Sequence, residues 1–327
     1  MTVRPYRLVR LLPPSRTALR VLISHPLCDE YARALAAHMP LDDLTGSDLN
    51  REPLETVDVL LTWKPPGGLM ARLSCLRWIQ TTSAGIDQLL DFLRERPGVL
   101  VTTTKGLQAE NAAGLAATLM LSLFWGMPRL YESQRAAAWR KHPVGLLSTQ
   151  TCAVLGLGHV GMCVVSHARH FGMRVIGVRR QPAAPAEVDR VAGPEELPEV
   201  LREADYVVVT LPLTDRTRGL IGGPAFRAMK RSAYLINVAR GGIVDEAELA
   251  TALRAGDIAG AAMDVFAEEP LPSSHPLWRA PNLIITPHIG GDRTDYVEQA
   301  SSIFAHNLTA FPDRTRMRGI ASNVHGY

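Results

Sequence analysis

The sequence predicts an α/β protein built from two doubly wound parallel-sheet domains with a cleft between them. Short apolar segments alternate with helical patterns along most of the 327 residues, which is typical of parallel sheets covered by helices. The alternation begins twice, near residue 20 and again at residue 151, and a long small-residue helical pattern over 108–127 connects the two series. The chain is long enough for two complete cores.

The first series follows an expected extended leader, residues 1–18, which contains three prolines. A helix is predicted at 29–38, and strands are predicted at 20–24, 58–62, 76–80 and 99–102. The tail has a helical pattern over 296–311 that has no partner other than this series. The first domain is therefore expected to comprise residues 1–107 and 291–327.

The second series predicts a full doubly wound domain over residues 108–290. Its strands are predicted at 151–155, 174–178, 204–210, 233–237, 260–265 and 283–286, and its helices include 162–171, 194–202 and 245–255. Asp245 is the predicted N-cap of the last of these helices, and Gly256 its C-terminal stop.

A glycine-rich turn, Gly156-Leu157-Gly158-His159-Val160-Gly161, joins the first strand of this domain to the following helix. The GxGxxG pattern alone is common, but its position between strand and helix predicts a Rossmann-like dinucleotide site. The first glycine permits the tight turn, the second lets the backbone approach the pyrophosphate, and the third lets helix and strand pack closely. The N-terminus of the helix favours the phosphate charge.

Two arginines, Arg179 and Arg180, follow the second strand, where an acidic residue would bind the 2′-hydroxyl of NAD. A guanidinium is a planar, charged fork that matches a phosphate. The sequence therefore predicts NADP(H) as the preferred cofactor. Both arginines could instead be surface residues in an arginine-rich chain, which leaves NAD(H) as the alternative cofactor.

Three further polar residues, Arg240, Glu269 and His288, follow successive strands of the same domain. In open parallel sheets the carboxyl ends of the strands form the ligand crevice, so the three are expected to converge. They suit reduction of a 2-oxo acid. His288 is the acid for the carbonyl oxygen, Glu269 orients it, and Arg240 holds the substrate carboxylate and polarises the carbonyl. Glu268 is the alternative carboxylate, and Arg240 could instead cap a helix.

Composition excludes several other classes of function. The net charge of +3 is too small for a general nucleic-acid-binding face, and no apolar run approaches the length of a membrane span. The four cysteines form no CxxC pair and match no zinc spacing, so no metal is expected. A reduced, cytoplasmic compartment is the simplest fit.

The segments around these residues resemble the D-isomer-specific 2-hydroxyacid dehydrogenase family over most of the chain. Leu211-Pro212-Leu213-Thr214, Arg218-Gly219-Leu220-Ile221-Gly222 and Leu277-Trp278 also resemble it. Within the family the chain looks closest to glyoxylate/hydroxypyruvate reductases. Residues 63–66 (Trp-Lys-Pro-Pro), residues 83–87 and the Gly326-Tyr327 end support that assignment more weakly.

The resemblance implies further roles and a homodimer. It assigns the substrate carboxylate to the backbone amides of Ser83, Ala84 and Gly85, in a first domain that holds the substrate. Further cofactor contacts implied by the resemblance are Asp264 at the nicotinamide carboxamide, Val238, Ala239 and Gly290 along the cofactor, and Pro212 and Thr217 near adenosine. Trp139 matches a tryptophan that reaches the partner subunit. Asp264 could instead cap a turn, and Trp139 could pack on its own helix.

The family pattern is broken at several positions. Most members have an acidic residue where this chain has Arg179, and a glutamate where it has Ala117. Asp292-Arg293 after the double glycine is also unusual. The predicted function is NADPH-dependent reduction of a small 2-oxo acid, of the glyoxylate or hydroxypyruvate type, to the D-2-hydroxy acid. The alternatives are a dehydrogenase for a larger or phosphorus-containing acid and a non-catalytic, nucleotide-sensing corepressor.

Overall fold

The computed structural model describes residues 6–12, 18–45, 53–180 and 187–321, except for the side chain of residue 87. Within them the chain forms two compact units that divide after Leu107 and after Asp292. Each unit is an α/β fold, in which a β-sheet has helices on its faces, as the sequence predicts. The Gly326-Tyr327 end lies outside the described residues.

The first unit contains a six-stranded sheet in the order β3-β1-β2-β4-β5-β6. Its strands are β1 (Tyr6–Leu11), β2 (Leu19–Ser24), β3 (Leu41–Asp43), β4 (Val59–Thr62), β5 (Trp78–Thr81) and β6 (Leu100–Thr102). Its helices are α1 (Cys28–Ala36), α2 (Leu69–Arg72), α3 (Leu90–Glu95) and α10 (Tyr296–Ala310). The C-terminal helix α10 covers one face, where Phe304 lies 5.2 Å from Trp78 between ring centroids.

The expectation of an extended leader over 1–18 is wrong for Tyr6–Leu11. This segment is strand β1, which pairs antiparallel with β2 and with β3. Leu8, Val9 and Leu11 are fully buried, so the segment belongs to the core. Antiparallel pairing with β2, and with β3 about 30 residues further along the chain, stabilises the strand, and such pairing leaves little trace in a short local window.

The second unit contains a seven-stranded, entirely parallel sheet in the order β13-β12-β11-β10-β7-β8-β9. Its strands are β7 (Thr151–Leu155), β8 (Arg174–Val178), β9 (Arg190–Ala192), β10 (Tyr206–Val209), β11 (Tyr234–Asn237), β12 (Gly260–Met263) and β13 (Leu283–Ile285). Its helices are α4 (Ala109–Phe124), α5 (Met127–Arg135), α6 (His159–His170), α7 (Leu197–Glu203), α8 (Gly223–Ala228) and α9 (Glu246–Ala255). The strand order reverses between β7 and β10, and such a point is where parallel sheets bind ligands.

Two predicted helices are confirmed, the first with a different C-terminal end and the second with the predicted caps. The helical pattern over 108–127 ends at Phe124, because Gly126 adopts a left-handed φ of 62° and Met127 starts a second helix. Helix α9 begins after Asp245, whose carboxylate accepts the amides of Ala247 and Glu248, and ends at a left-handed Gly256.

No single helix among the described residues is long and apolar enough to cross a bilayer. The bent pair α4 and α5 meets the length and composition criteria only when the two helices are taken together.

Candidate active site

The glycine-rich turn after β7 has the geometry that its sequence predicts. Gly156 has φ of 104°, and a Cβ on Gly161 would lie 1.9 Å from the Gly156 carbonyl oxygen, so helix α6 approaches the turn too closely for a side chain. A Cβ on Gly158 would meet no described atom within 4 Å. His159 is exposed and Val160 is half-buried in the first turn of α6. The turn therefore leaves an open approach to backbone amides at a helix N-terminus, which fits a pyrophosphate.

The two predicted 2′-phosphate ligands follow β8. The Arg179 amide donates to the Ala192 carbonyl oxygen at 3.1 Å, which ties this position to the end of β9. Arg179 is half-buried and Arg180 is exposed. Two arginines thus follow the strand whose carboxyl end contacts the ribose of a bound dinucleotide.

The loop after β10 contains the two residues matched to the adenosine end. The Thr217 hydroxyl donates to the Pro212 carbonyl oxygen at 2.7 Å and accepts the Thr214 amide at 2.8 Å. These hydrogen bonds close the loop into a compact turn. The Thr217 side chain therefore shapes the loop.

Arg240 stands on a turn that Asn237 organises from the end of β11. The buried Asn237 side chain accepts the Ala239 amide at 3.0 Å and donates to the Arg240 carbonyl oxygen at 3.1 Å. Val238 and Ala239 are buried beneath the turn. The Arg240 guanidinium donates to the Ala239 carbonyl oxygen at 2.8 Å.

Glu269, and not Glu268, contacts the histidine. Glu269 Oε2 is 2.7 Å from His288 Nδ1, and its Oε1 accepts the Phe266 amide at 2.9 Å. An ionised carboxylate only accepts hydrogen bonds, so Nδ1 carries the proton and Nε2 is the nitrogen left for a substrate. Glu268 is exposed.

His288 lies in a left-handed turn, with φ of 55°, that Asp264 holds in place. The buried Asp264 carboxylate accepts the Thr286 hydroxyl at 2.5 Å and the amides of Ile289 and Gly290 at 3.0 and 2.9 Å. The His288 amide donates to the Asp264 carbonyl oxygen at 2.8 Å. Asp264 therefore does cap a turn, and this turn is the one that presents the imidazole.

The charges around the imidazole favour its protonated form. The hydrogen bond that His288 donates to Glu269 raises the pKa of His288 above its ordinary value, although burial and the positive charge of Arg240 oppose the shift. Burial acts to raise the pKa of Glu269, but the hydrogen bonds from His288 and Phe266 outweigh it and lower that pKa. A protonated imidazole beside an ionised carboxylate and a guanidinium can supply a proton and bind an anion.

The first unit carries the other predicted substrate loop, Ser83, Ala84 and Gly85, after β5. The Ser83 hydroxyl donates to the Gly85 carbonyl oxygen at 2.6 Å and lies 2.9 Å from the Thr81 hydroxyl. The Gln88 amide nitrogen donates to Ser83 Oγ at 3.1 Å and to the Trp63 carbonyl oxygen at 3.0 Å. Hydrogen bonds between neutral groups thus hold the loop in shape.

Sequence reasoning missed Asn237, Thr286 and Gln88. Each makes a hydrogen bond that holds a predicted site residue in place: Asn237 to the Arg240 carbonyl oxygen, Thr286 to the Asp264 carboxylate and Gln88 to the Ser83 hydroxyl. Asn237 and Thr286 are polar residues at or just after a strand end, whereas Gln88 lies in a short 3-10 helix, and local sequence does not show which group such a residue contacts. Among the described residues no group of three His, Cys, Asp or Glu could hold a metal ion.

The glycine turn at the sheet reversal and the Arg-Glu-His trio on neighbouring strand ends define the class of protein, a nicotinamide-dependent oxidoreductase. The family model for the D-isomer specific 2-hydroxyacid dehydrogenase, NAD binding domain, matches residues 117–290. The chain belongs to the D-isomer specific 2-hydroxyacid dehydrogenase family.

Individual relatives are similar over nearly the whole chain. A glyoxylate reductase/hydroxypyruvate reductase from Mus musculus is 32% identical over 91% of this chain and 96% of its own length. A glyoxylate/hydroxypyruvate reductase A from Yersinia enterocolitica is 29% identical over 94% and 100%. A crystal structure of a D-isomer specific 2-hydroxyacid dehydrogenase from Xanthobacter autotrophicus Py2, in complex with NADPH and MES, superposes with a TM-score of 0.80. That protein is 32% identical, and the match covers 91% of this chain and 96% of that chain.

Proposed function

We propose that this protein reduces a small 2-oxo acid, of the glyoxylate or hydroxypyruvate type, to the D-2-hydroxy acid with NADPH. The observation that carries the proposal is the 2.7 Å contact between His288 Nδ1 and Glu269 Oε2, with Arg240 near enough to influence both pKa values. The names of the mouse and Yersinia relatives support the substrate class.

In this proposal the trio acts on the carbonyl end of the substrate. His288 Nε2 donates a proton to the carbonyl oxygen as negative charge develops there, and Glu269 stabilises the imidazolium beforehand. Arg240 binds the substrate carboxylate and draws charge toward the carbonyl oxygen. The nicotinamide, when bound, supplies the hydride. The products are NADP⁺ and the hydroxy acid, and one proton is consumed.

The cofactor would be held by the second unit. Gly156 to Gly161 would receive the pyrophosphate, and Arg179 and Arg180 the 2′-phosphate. Two guanidinium groups at that strand end favour NADPH over NADH, and the NADPH complex of the Xanthobacter relative supports this preference. Asp264 would serve the nicotinamide carboxamide as well as its turn, since a carboxylate has about four acceptor sites.

The first unit would bind the substrate carboxylate through the loop of Ser83, Ala84 and Gly85. A homodimer is the proposed assembly. Trp139 lies outside any helix and is 91% exposed, so it does not pack on its own helix. Tyr131 and Leu146, within eight residues of Trp139 in the sequence, are also exposed, and several large exposed apolar side chains are typical of subunit contacts. Light scattering on the purified protein tests the dimer.

Steady-state kinetics test the reaction and the cofactor together. Glyoxylate, hydroxypyruvate, larger 2-oxo acids and phosphonate-bearing acids are each assayed with NADPH and with NADH. We expect the highest kcat/KM for a small 2-oxo acid with NADPH. Preference for a larger or phosphorus-containing acid would favour the specialised dehydrogenase, and cofactor binding without turnover of any acid would favour a corepressor.

The Arg179→Asp variant tests the basis of the cofactor preference. We expect the NADPH to NADH ratio of kcat/KM to fall by about 5- to 150-fold, equivalent to ~1–3 kcal/mol for a charge-assisted contact. Arg202→Asp, at an exposed position on α7, makes the same charge change as a control. An unchanged ratio in Arg179→Asp would assign that residue to the surface alone.

A further inference from the structure

Glu246, in the first turn of α9, is a carboxylate whose side chain is only 10% exposed. Its Oε1 accepts the Ala267 amide at 2.6 Å, and its Oε2 is 3.4 Å from His275 Nε2. His275 Nδ1 accepts the Leu277 amide at 3.4 Å, so Nε2 bears the proton of the neutral ring and points it toward Glu246.

The loop that carries Glu269 is held by two carboxylates through neighbouring amides. Glu269 Oε1 accepts the amide of Phe266, and Glu246 Oε1 accepts the amide of Ala267. If either carboxylate were removed, the amide that it accepts would need another hydrogen-bond acceptor. The backbone leading to the carboxylate beside His288 is thus fixed at two consecutive positions.

The same loop lies directly against the turn that carries Arg240. A Cβ on Gly241 would lie 1.9 Å from the Phe266 carbonyl carbon and oxygen, so the two backbones are in contact. A shift of the loop at Phe266 or Ala267 therefore moves Glu269 and also presses on the neighbour of Arg240.

An ordinary helix-end role does not account for Glu246. Asp245 already caps α9 by accepting the amides of Ala247 and Glu248. Acidic residues stabilise a helix N-terminus when exposed, as Glu248 is, but burying a carboxylate is costly unless its hydrogen bonds offset the loss of water. The shorter of the two contacts that offset this cost is the 2.6 Å hydrogen bond from the Ala267 amide, and the other is the 3.4 Å contact with His275.

We propose that Glu246 is a positioning residue of the reductase, which fixes the Ala267 amide and thereby the loop that orients Glu269 against His288. The inference rests on the proposed function. Glu246 does not touch the reacting atoms. It acts through Glu269, which faces His288 together with Arg240 and Asp264.

The test compares Glu246→Ala, Glu246→Gln and Glu246→Asp with wild type and with Glu248→Ala. The last variant removes the same charge from the same helix end, at an exposed side chain. Three quantities are measured: the pH profile of kcat/KM with glyoxylate and NADPH, the dissociation constant of NADPH, and the titration of the His288 imidazole by NMR, assigned through His288→Gln.

We expect Glu246→Ala to lower kcat about tenfold, with the loss of one hydrogen bond to a charged group. The falling limb of the pH profile and the imidazole titration should both move to lower pH, because Glu269 pairs less firmly with His288. NADPH affinity should not change. Glu246→Gln, whose amide oxygen still accepts from Ala267, should recover most of the rate, and Glu248→Ala should match wild type.

Wild-type titration and rate in Glu246→Ala would overturn the proposal. A lower rate with an unchanged pH profile and an unchanged His288 titration would also overturn it, because a residue with a merely structural role would give that result. If the alanine variant does not fold, Glu246→Asp decides, because its carboxylate is one methylene shorter and withdraws from Ala267. A wild-type enzyme that reduces no 2-oxo acid would end the proposed function, while the His288 titration would still decide the role of Glu246.

Discussion

The two units present different kinds of group in the loops at the carboxyl ends of their parallel strands. In the second unit the loops after β11, β12 and β13 carry Arg240, Glu269 and His288, which are ionisable and mutually coupled. In the first unit the loop after β5 is held by neutral hydroxyl and amide groups, those of Ser83, Thr81 and Gln88. The same architecture therefore supports proton chemistry in one unit and neutral hydrogen bonding in the other.

The difference predicts a division of kinetic effects. Groups that change charge during a reaction alter the barrier, whereas neutral groups that shape a loop alter substrate binding more evenly. Changes in the second unit should act mainly on kcat, and changes in the first unit mainly on KM.

Replacement of His288 by alanine should have the largest effect. Without the proton donor, kcat for 2-oxo acid reduction should fall by about 10²- to 10⁴-fold. NADPH binding, measured by fluorescence titration, should stay close to wild type. His170→Ala, at the exposed C-terminal end of α6 in the same unit, is the control. Turnover at the wild-type rate in His288→Ala would remove the histidine from the mechanism.

Replacement of Glu269 by glutamine should act on the pH profile. The Glu269 hydrogen bond raises the pKa of His288, and reduction needs the protonated ring. Activity is therefore present below that pKa and lost as pH rises through it. In Glu269→Gln the falling limb should move to lower pH, and kcat at neutral pH should drop roughly tenfold. Glu268→Gln is the matched control, and a limb that stays in place in Glu269→Gln would contradict the pairing.

Replacement of Gln88 by alanine should have the smallest effect, and it tests directly whether changes in the first unit act on KM. Loss of neutral hydrogen bonds to Ser83 and Trp63 should raise KM for the 2-oxo acid about 2- to 10-fold, while kcat changes little. Gln299→Ala, at an exposed position on α10, controls for a general loss of stability. A fall in kcat with unchanged KM would break the division between the two units.

Local sequence was sufficient for most strands and for the glycine turn. The strands at 151–155 and 174–178 have the predicted ends, because their apolar runs are short and bounded by polar or turn residues. Strand β1 was not found in the same way, because its sequence alternates apolar and basic residues beside several prolines, and its place in the sheet depends on antiparallel pairing with β2 and with the more distant β3.

The sequence alone predicted the two α/β units and the dinucleotide turn, and it placed Arg240, His288 and two candidate carboxylates after strands, because periodicity and strand-end position are local properties. Only the tertiary structure decided between Glu268 and Glu269, showed that Asp264 holds the His288 turn, and found Glu246 beneath the Ala267 amide. These hydrogen bonds join residues up to 26 positions apart. The sequence predicts that the strand ends lie together, but which donor meets which acceptor there depends on the folded loop geometry.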